Sequence, residues 1–514
     1  MPTQNRRQFL KFLGASCASF PFISRSLIAS GSPHKRIPSI SSTFEDDLIL
    51  APGFSYSPLV TWNQSISAFD RFGFNCDYTA FTPLDKNRGI LWTNHEYINP
   101  LFIHGNSSGP KTKNQVQQEM YNMGGSLVEL VRENDKAEWK INPNSNYNRR
   151  ITALTEIPFA NQVSISGKKS AIGMVANCAG GVTPWGNILT CEENYDGFHG
   201  ERKKDGSKLS GDHQWEKYYD FPPEHYGWVV EVNPKTGEAK KHTSLGRFCH
   251  ECATTTYDAF GNLVVYSGDD TVDEFLYKFI SNDKTSLDKG TLYVANIDKG
   301  EWVSLDINSS KKLKSRFKNQ LDVQINCREA GRLVGATPLD RPEDIEIHPI
   351  TGDVFVCLSN NKPKKNYHGS ILKISESKTN PLKFQSETFI PGGDDFSCPD
   401  NLTFDKKGNI WLCCDISGKS IGKSKYKKFG NNGLFFIPTV GENAGEVYQI
   451  ASAPKDAELT GVTISPDQKT LFLSVQHPGE LSKTINDLTS NWPSNKNGDI
   501  PKPTVVQIKG PLLK

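Results

Sequence analysis

The stretch GNILTCEEN, residues 186–194, places a thiol and two consecutive carboxylates at the end of a short apolar run. Adjacent carboxylates such as Glu192 and Glu193 repel each other and resist burial unless a cation or a proton compensates their charge. The neighbouring thiol of Cys191 can bind a metal as a thiolate. The motif therefore suggests a metal site, and the alternative is a solvated strand end that carries an incidental cysteine.

A second chemical motif is RPED, residues 341–344, in which strand periodicity points Arg341 and Glu343 to the same face. A purely structural metal site gains nothing from a guanidinium, whereas a phosphate site uses its planar fork for bidentate recognition. The pair thus indicates phosphate binding beside a metal-binding carboxylate. The alternative is an internal ion pair between Arg341 and a nearby glutamate.

The same periodicity separates side chains within the other acidic motifs. In TCEEN it pairs Cys191 with Glu193 and turns Glu192 to the opposite face, unless the strand has already ended. In NHE it pairs Asn94 with Glu96. Calcium takes oxygen ligands, whereas a cysteine thiolate favours iron, zinc or copper. We therefore expect two kinds of metal in a mixed site.

These motifs belong to a repeat of short strands, each introduced by a turn and ending in polar residues. The six repeats are RGILWTNHE (88–96), GNILTCEEN (186–194), GNLVVYSGDD (261–270), GDVFVCLSNN (352–361), GNIWLCCD (408–415) and KTLFLSVQHPG (469–479). Each follows another short strand, and the resulting hairpins recur as the blades of a propeller do. The sequence therefore predicts an all-β fold, a six-bladed β-propeller with loop insertions. A seven-bladed ring is the rival.

In a propeller, corresponding positions of successive blades converge on the mouth of a central channel. We therefore expect one pocket to collect carboxylates that are far apart in the sequence. They are Asp77, Glu96, Glu193, Glu251, Asp270, Glu343, Asp400 and Glu458. So many carboxylates in one pocket require multivalent cations. The alternative is a Ca²⁺ ion that only holds the blades together.

The N-terminus and the overall charge indicate location and partners. Arg6 and Arg7, followed by a moderately apolar run, look like a twin-arginine export signal over residues 1–30, which predicts contact with the twin-arginine translocation machinery and a periplasmic or secreted location. Residues 31–514 are expected to form a single propeller domain with N-terminal and C-terminal extensions, without a stable membrane span. A formal net charge of +2 argues against a nucleic-acid partner. We expect a monomer, because closed propellers are usually self-sufficient.

Seven motifs, TNHEY, CAGGVTPWG, LTCEEN, GRFCHE, YSGDDTVDEFLYKF, RPED and VQHPG, resemble the PhoX-type alkaline phosphatases in their order, from about Asn94 to Gly479. The resemblance implies a six-bladed propeller with Fe³⁺ and Ca²⁺, iron bound partly through a cysteine thiolate, and phosphoester hydrolysis at alkaline pH. It implies that Cys191 binds iron, that Glu251 and Glu343 bind metal, and that Arg341 contacts phosphate. Other matched positions expected to bind either ion are Glu96, Glu192, Glu193, Asp269, Asp270, Asp400 and Glu458.

The predicted function is an exported alkaline phosphatase that hydrolyses small phosphate monoesters and some diesters. Arg341 would stabilise the reacting phosphate, and Lys278 would add phosphate affinity. One alternative is a calcium-dependent propeller lactonase, because PDNLTFDKKGNIWLCCD also resembles a blade of that family. This alternative predicts calcium without iron. The other alternative is a non-catalytic cell-envelope propeller with structural calcium, which would tolerate loss of Arg341 or Cys191.

Overall fold

Short runs of branched and aromatic residues form the strands of this protein, and glycine-containing turns join them. In Val354–Leu358 and Ile410–Cys414 every residue is buried, as expected for strands that pack on both faces. The computed structural model describes residues 37–105 and 108–514. The export signal expected over residues 1–30 lies outside the described residues.

Six antiparallel sheets form the blades, numbered here in chain order by their innermost strand. The innermost strands are Cys76–Asp85, Asn177–Val182, Thr254–Tyr257, Pro342–Ile347, Pro399–Phe404 and Glu458–Ile464. The second strands are Arg88–His95, Ile188–Glu192, Leu263–Gly268, Val354–Leu358, Ile410–Cys414 and Leu471–Gln476. The third strands are Gly124–Val131, Val229–Val232, Leu276–Asp283, Ser370–Glu376, Gly433–Ile437 and Thr504–Lys509. The outer strands are Lys140–Ile141 and Arg149–Thr152, Ala239–His242, Ser286–Asn296 and Glu301–Ser304, Phe384–Pro391, Tyr448–Ser452 and Ile49–Leu50, and Ser55–Thr61.

The ring closes between the two ends of the described chain. Ser55–Thr61 pairs with Thr504–Lys509 and so completes blade 6. Each innermost strand contacts the innermost strand of the next blade, and that of blade 6 contacts that of blade 1. The predicted six-bladed propeller is confirmed, and each of the six repeats is the second strand of one blade.

Insertions between the strands carry the helices and two small hairpins. The α-helices are Pro100–His104, Lys113–Asn122, Asp196–His199, Lys311–Arg316, Gln320–Ile325 and Cys327–Val334. The 3-10 turns are Ala160–Gln162, Trp215–Lys217, Pro223–His225, Thr243–Leu245 and Ser424–Tyr426. The hairpins are Glu156–Pro158 with Ser170–Ile172 and Glu201–Arg202 with Lys208–Leu209. Within the described part of the chain, no helix combines the length and apolar character needed to cross a bilayer.

Candidate metal centre

A cavity of about 350 Å³ lies at the edge where the first two strands of the blades meet, and all six blades contribute to its lining. The acidic side chains that line it are Asp77, Glu96, Glu193, Glu251, Asp270, Glu343, Asp400, Asp415, Glu458 and Glu480. Other polar side chains in the lining include Asn75, Cys178, Arg341, Gln476 and His477. The expected convergence of distant carboxylates on one pocket is therefore present in the fold.

A repeated backbone register places these side chains. At the cavity edge of five blades, one residue of the innermost segment pairs with one residue of the second strand. These pairs are Cys76 with His95, Asn177 with Glu192, His250 with Asp269, Pro342 with Leu358, and Pro399 with Cys414. The residue that follows each first member lines the cavity, and these residues are Asp77, Cys178, Glu251, Glu343 and Asp400.

The second strands follow the same rule, since the residue after the paired position lines the cavity in four of these blades. These residues are Glu96, Glu193, Asp270 and Asp415. In blade 6 the paired residues themselves, Glu458 and Gln476, line the cavity together with His477. Because the start of an innermost strand and the end of the next antiparallel strand share one edge, five of the six hairpins deliver side chains from both strands to the channel.

β-Bulges explain why the innermost strands turn these side chains into the channel. The register shifts immediately after the paired residue in blades 1, 2, 4 and 5, at Cys76/Thr79, Asn177/Gly180, Pro342/Ile345 and Pro399/Leu402. A bulge leaves a residue out of the ladder and re-aims its side chain. Asp77, Cys178, Glu343 and Asp400 lie within these irregular segments, so simple alternation does not determine their direction.

Three groups of ligand atoms lie close enough to hold metal ions, with all atoms of a group within 4.8 Å of one another. They are Asp77 with Glu96 and Cys178, Cys178 with Glu193 and Glu251, and Glu251 with Glu343 and Asp400. Cys178 belongs to the first two groups and Glu251 to the last two. The three groups are therefore connected, as in a centre that binds several neighbouring ions.

The carboxyl groups of the cavity need either protons or a cation to offset their charge. Burial, followed by repulsion from neighbouring carboxylates, raises the pKa of Glu96, Glu193, Glu251 and Glu458 well above the ordinary value. Such carboxyl groups ionise only where positive charge compensates them. Gln476 relieves part of this repulsion, because its Nε2 donates to Glu96 Oε2 at 2.6 Å.

Unsatisfied polar atoms give a separate test of whether this lining fits a metal. Both side-chain polar atoms of Asn75 and the Oδ1 atom of Asp270 are buried without a hydrogen-bond partner among the described residues. Buried polar groups are almost always paired, so Asn75 Oδ1 and Asp270 Oδ1 are available to a cation or a water, and Asn75 Nδ2 is available to an acceptor. The oxygen atoms and the thiol at this position match the donor set that iron and calcium take.

Arg341 lies at the rim of this acidic cavity. Its Nη2 lies 2.6 Å from Asp270 Oδ2 and 2.9 Å from Glu343 Oε1, and its Nη1 donates to Ser359 Oγ at 3.2 Å. Burial opposes its charge, but Asp270 and then Glu343 raise the pKa of Arg341 well above its ordinary value. Its side chain is 26% exposed, so a molecule entering the cavity can reach a guanidinium that stays charged.

Two expected metal ligands of the TCEEN motif do not enter the cavity. Cys191 lies in the apolar core shared by blades 2 and 3, with Leu189 and Val265. Both carboxylate oxygens of Glu192 accept hydrogen bonds from Lys241 Nζ, at 2.7 and 2.9 Å. Glu192 Oε2 also accepts one from the backbone N–H of Trp228. The reason is that the faces of a blade pack against neighbouring structure, and only Glu193, just beyond the strand, turns into the channel.

Two further expected site residues also lie elsewhere. Asp269 pairs with His250 at the cavity edge of blade 3. Its carboxylate accepts two hydrogen bonds from Arg328, at 2.6 and 2.8 Å. Lys278 lies in the middle of blade 3, where its Nζ is 3.0 Å from Glu376 Oε1. The ammonium group of Lys278 therefore cannot reach a phosphate in the metal cavity, because Lys278 is buried and committed to this ion pair.

The thiol of the cavity is Cys178, which the sequence analysis did not select. Its Sγ lies 3.2 and 3.3 Å from the two carboxylate oxygens of Glu251. An aligned comparison of the innermost strands could have found it, because Cys178 follows Asn177 as Asp77 follows Cys76 and as Asp400 follows Pro399. Asp415, Gln476 and His477 were also missed as ligand candidates, although they end the second strands of blades 5 and 6.

Comparisons with known proteins identify a family and solved structures that resemble this chain. Residues 36–479 match the family model described as alkaline phosphatase PhoX. The solved structure of Pseudomonas fluorescens PhoX in complex with vanadate, a transition-state analogue, is 29% identical, with coverage of 92% of this chain and 97% of that chain and a TM-score of 0.82. A protein of unknown function from Dyadobacter fermentans is 12% identical, with coverage of 90% of this chain and 100% of that chain and a TM-score of 0.40. A search of curated proteins found no match.

Proposed function

The chain belongs to the PhoX alkaline phosphatase family, and from this premise we propose that it hydrolyses small phosphate monoesters, and some diesters, at a mixed iron and calcium centre in the propeller channel. Its general class, a metal-dependent phosphoric ester hydrolase, follows from the family match and from the similarity to PhoX with vanadate bound. The ions, the roles of individual residues and the cellular location are parts of the proposal.

The observation that carries the proposal is the position of Arg341 against the connected groups of metal-binding side chains. Its Nη2 touches Glu343, which forms one group with Glu251 and Asp400. The internal ion pair considered from the sequence is present, but both ion pairs of Arg341 use Nη2, and the side chain remains 26% exposed at the cavity. Phosphate recognition uses such a group, because a guanidinium offers several N–H donors in a fixed plane to oxyanion oxygens.

We assign ions to the groups by the softness of their ligands. The two groups that contain Cys178 suit Fe³⁺, and the all-oxygen group of Glu251, Glu343 and Asp400 suits Ca²⁺. Such ions, when bound, supply positive charge that polarises the phosphoryl oxygens. We therefore assign the thiolate role to Cys178 instead of Cys191, and we leave Glu192, Asp269 and Lys278 out of the proposed site.

The protein's own contribution is to hold and orient the phosphate. Asp270 and Glu343 fix the Arg341 guanidinium from one side, which leaves its exposed edge for the equatorial oxygens of a bound phosphoryl group. Preorganised donors of this kind stabilise charge as it redistributes in the transition state. Burial of the cavity strengthens these interactions, since electrostatic effects are larger away from water.

The proposed location is outside the cytoplasm. Arg6 and Arg7 lead an N-terminal segment typical of twin-arginine export, a route that carries folded proteins with their cofactors already inserted. The translocation machinery is therefore a proposed partner, and small phosphoesters are the proposed substrates. We propose that the enzyme acts as a monomer.

The test is phosphate release from p-nitrophenyl phosphate by the folded, exported protein between neutral and alkaline pH. We expect turnover that rises towards alkaline pH, is lost on calcium chelation and returns when calcium is added. No turnover by a sample that contains both iron and calcium would contradict the proposal. Hydrolysis of a lactone by that sample would then favour a lactonase, and inactivity on both substrates would favour a structural metal propeller.

A further inference from the structure

A second, larger cavity of about 830 Å³ lies beside the insertions of blades 2 and 3. The hairpin Glu201–Arg202 with Lys208–Leu209 forms one side, and the helices Lys311–Arg316, Gln320–Ile325 and Cys327–Val334 contribute to the other. We call it the basic cavity, because eight basic side chains and only four acidic ones line it. The metal centre has the opposite character.

The arginines of the basic cavity are already oriented by carboxylates. Arg328 binds Asp269 through Nε and Nη2, and Arg316 binds Glu329 through the same two atoms at 2.7 and 2.9 Å. The Nη1 atoms of Arg328 and Arg316 have no partner within the described residues. These guanidinium groups therefore present fixed, unused N–H donors, the geometry that suits oxyanions.

Three lysines supply the excess positive charge. Lys203 and Lys204 lie in the turn of the hairpin, and Lys318 lies between two of the helices. All three are exposed, and their ammonium groups have no ion-pair partner in residues 37–105 and 108–514. Charges of one sign that line a concave surface concentrate the field there and attract anions.

The basic cavity and the metal centre share a wall. Asn194 lines the metal centre and the next residue, Tyr195, lines the basic cavity. Asp270 lines the metal centre, and its neighbour Asp269 holds Arg328 of the basic cavity. Since consecutive residues are about 3.8 Å apart, the two cavities lie back to back across a single layer of residues.

We propose that the basic cavity binds a phosphate-type oxyanion separately from the metal centre on the other side of the shared wall. Inorganic phosphate and short polyphosphates are the class that fits, because their several oxygens can meet the exposed lysines and the oriented arginines at once. A molecule that also reached the metal centre would have to cross the wall that Asn194 and Tyr195 help to form.

The test removes the unpaired charge without touching the metal centre. The variant K203A/K204A/K318A is compared with K284A/K378A/K496A, which removes three exposed lysines that line neither cavity. For each protein, kcat/KM is measured with fructose 1,6-bisphosphate, fructose 6-phosphate and p-nitrophenyl phosphate. Binding of inorganic tripolyphosphate is measured by calorimetry on the same metal-loaded samples.

We expect the first variant to bind tripolyphosphate about tenfold more weakly, while its kcat/KM for each of the three esters stays within about twofold of that of the unmodified enzyme. The second variant should match the unmodified enzyme in every measurement. A loss of kcat/KM for the bisphosphate alone would overturn the separation of the two sites, because it would show that one substrate reaches both cavities. Unchanged tripolyphosphate binding together with unchanged turnover would overturn the inference. If the unmodified enzyme hydrolyses none of the esters, the proposed function fails while calorimetry still tests the cavity.

Discussion

The Sγ atom of Cys178 lies 3.2 and 3.3 Å from the two carboxylate oxygens of Glu251, a residue of the next blade. Burial, and then the charges of Asp77 and Glu251, raise the pKa of the Cys178 thiol well above its ordinary value. A thiolate can form at this position only if a metal ion compensates its charge. Cys178 and Glu251 together connect the three candidate metal groups.

We therefore expect Cys178→Ala to lose most of its bound iron and at least about 100-fold in kcat/KM, because the soft ligand of the centre is gone. Metal analysis by mass spectrometry and absorption of the iron-thiolate chromophore would measure the loss. Cys191→Ala is the matched control, since Cys191 is buried in the apolar core. It should keep its iron and lose only about 1 kcal/mol of stability. Iron that disappears from the Cys191 variant and remains in the Cys178 variant would refute the assignment.

Arg341→Ala should lower kcat/KM by about 10² to 10³, because the fixed donor at the cavity rim is removed. Arg341→Lys keeps the charge but not the planar fork, so about a tenfold loss should remain. Both variants should retain iron and calcium, which metal analysis checks before kinetics. Arg88→Ala serves as the control, since the Arg88 side chain is 49% exposed and lies away from the cavity. Full turnover by a folded, metal-loaded Arg341→Ala protein would eliminate the role assigned to Arg341.

Lys278→Met should change stability and leave catalysis intact. Lys278 is buried and its Nζ lies 3.0 Å from Glu376 Oε1, so the substitution leaves a partly buried carboxylate without its ion-pair partner, although Tyr266 and Trp302 still donate to it. Because Glu376 keeps some contact with solvent, we expect a loss of about 1–3 kcal/mol in unfolding free energy. The kcat/KM of the folded protein should stay within about twofold, since Lys278 touches no part of the metal centre. Denaturant titration and steady-state kinetics on one preparation separate the two effects, and the double variant K278M/E376Q should recover part of the lost stability. A large loss of kcat/KM in the folded variant would restore a substrate-binding role.

The apo protein should become less stable as pH rises. Burial raises the folded-state pKa of Glu193, Glu251 and Glu458 well above the ordinary 4.5, so the folded apo protein holds protons that the unfolded chain releases. Their contribution to the unfolding free energy is complete below pH 4.5, the pKa of a glutamate in the unfolded chain, and it is lost as pH rises towards their pKa values in the folded protein. Each such group lowers the unfolding free energy by about 1.4 kcal/mol for every pH unit between these two pKa values.

Thermal unfolding of the chelated protein at several pH values above 5 would test this expectation. The midpoint of the chelated protein should fall with rising pH, whereas the midpoint of the metal-loaded protein should change much less, because bound cations replace the protons. A chelated protein whose midpoint rises with pH would show that these carboxylates are not buried together in the absence of metal.

Much of the architecture was predictable from local patterns. Each second strand, such as Ile188–Glu192 or Ile410–Cys414, is a short apolar run bounded by a turn and a polar end, and such runs specify strands without reference to distant residues. Their sixfold recurrence predicts the propeller. The propeller in turn brings Glu96, Glu251 and Glu458 to one place, which is why most of the cavity carboxylates could be selected in advance.

The direction of individual side chains was not predictable in this way. Strand alternation made Cys191 and Glu193 neighbours on one face, but the strand ends at Glu192 and only Glu193 turns into the channel. Cys178 enters through a β-bulge after Asn177, which no period-two pattern reveals. Lys278 was selected by its charge alone, and its partner Glu376 is remote in the sequence.

The strands, the number of blades and the acidic character of the channel mouth follow from local hydrophobic patterns and their repetition, so they can be predicted from the amino-acid sequence. The tertiary structure alone decided which thiol joins the carboxylates, which acidic residues face a cation instead of the channel, and how the basic cavity lies behind the metal centre. The physical reason is that bulges, strand ends and long-range ion pairs set side-chain direction, and each depends on contacts between residues far apart in the chain.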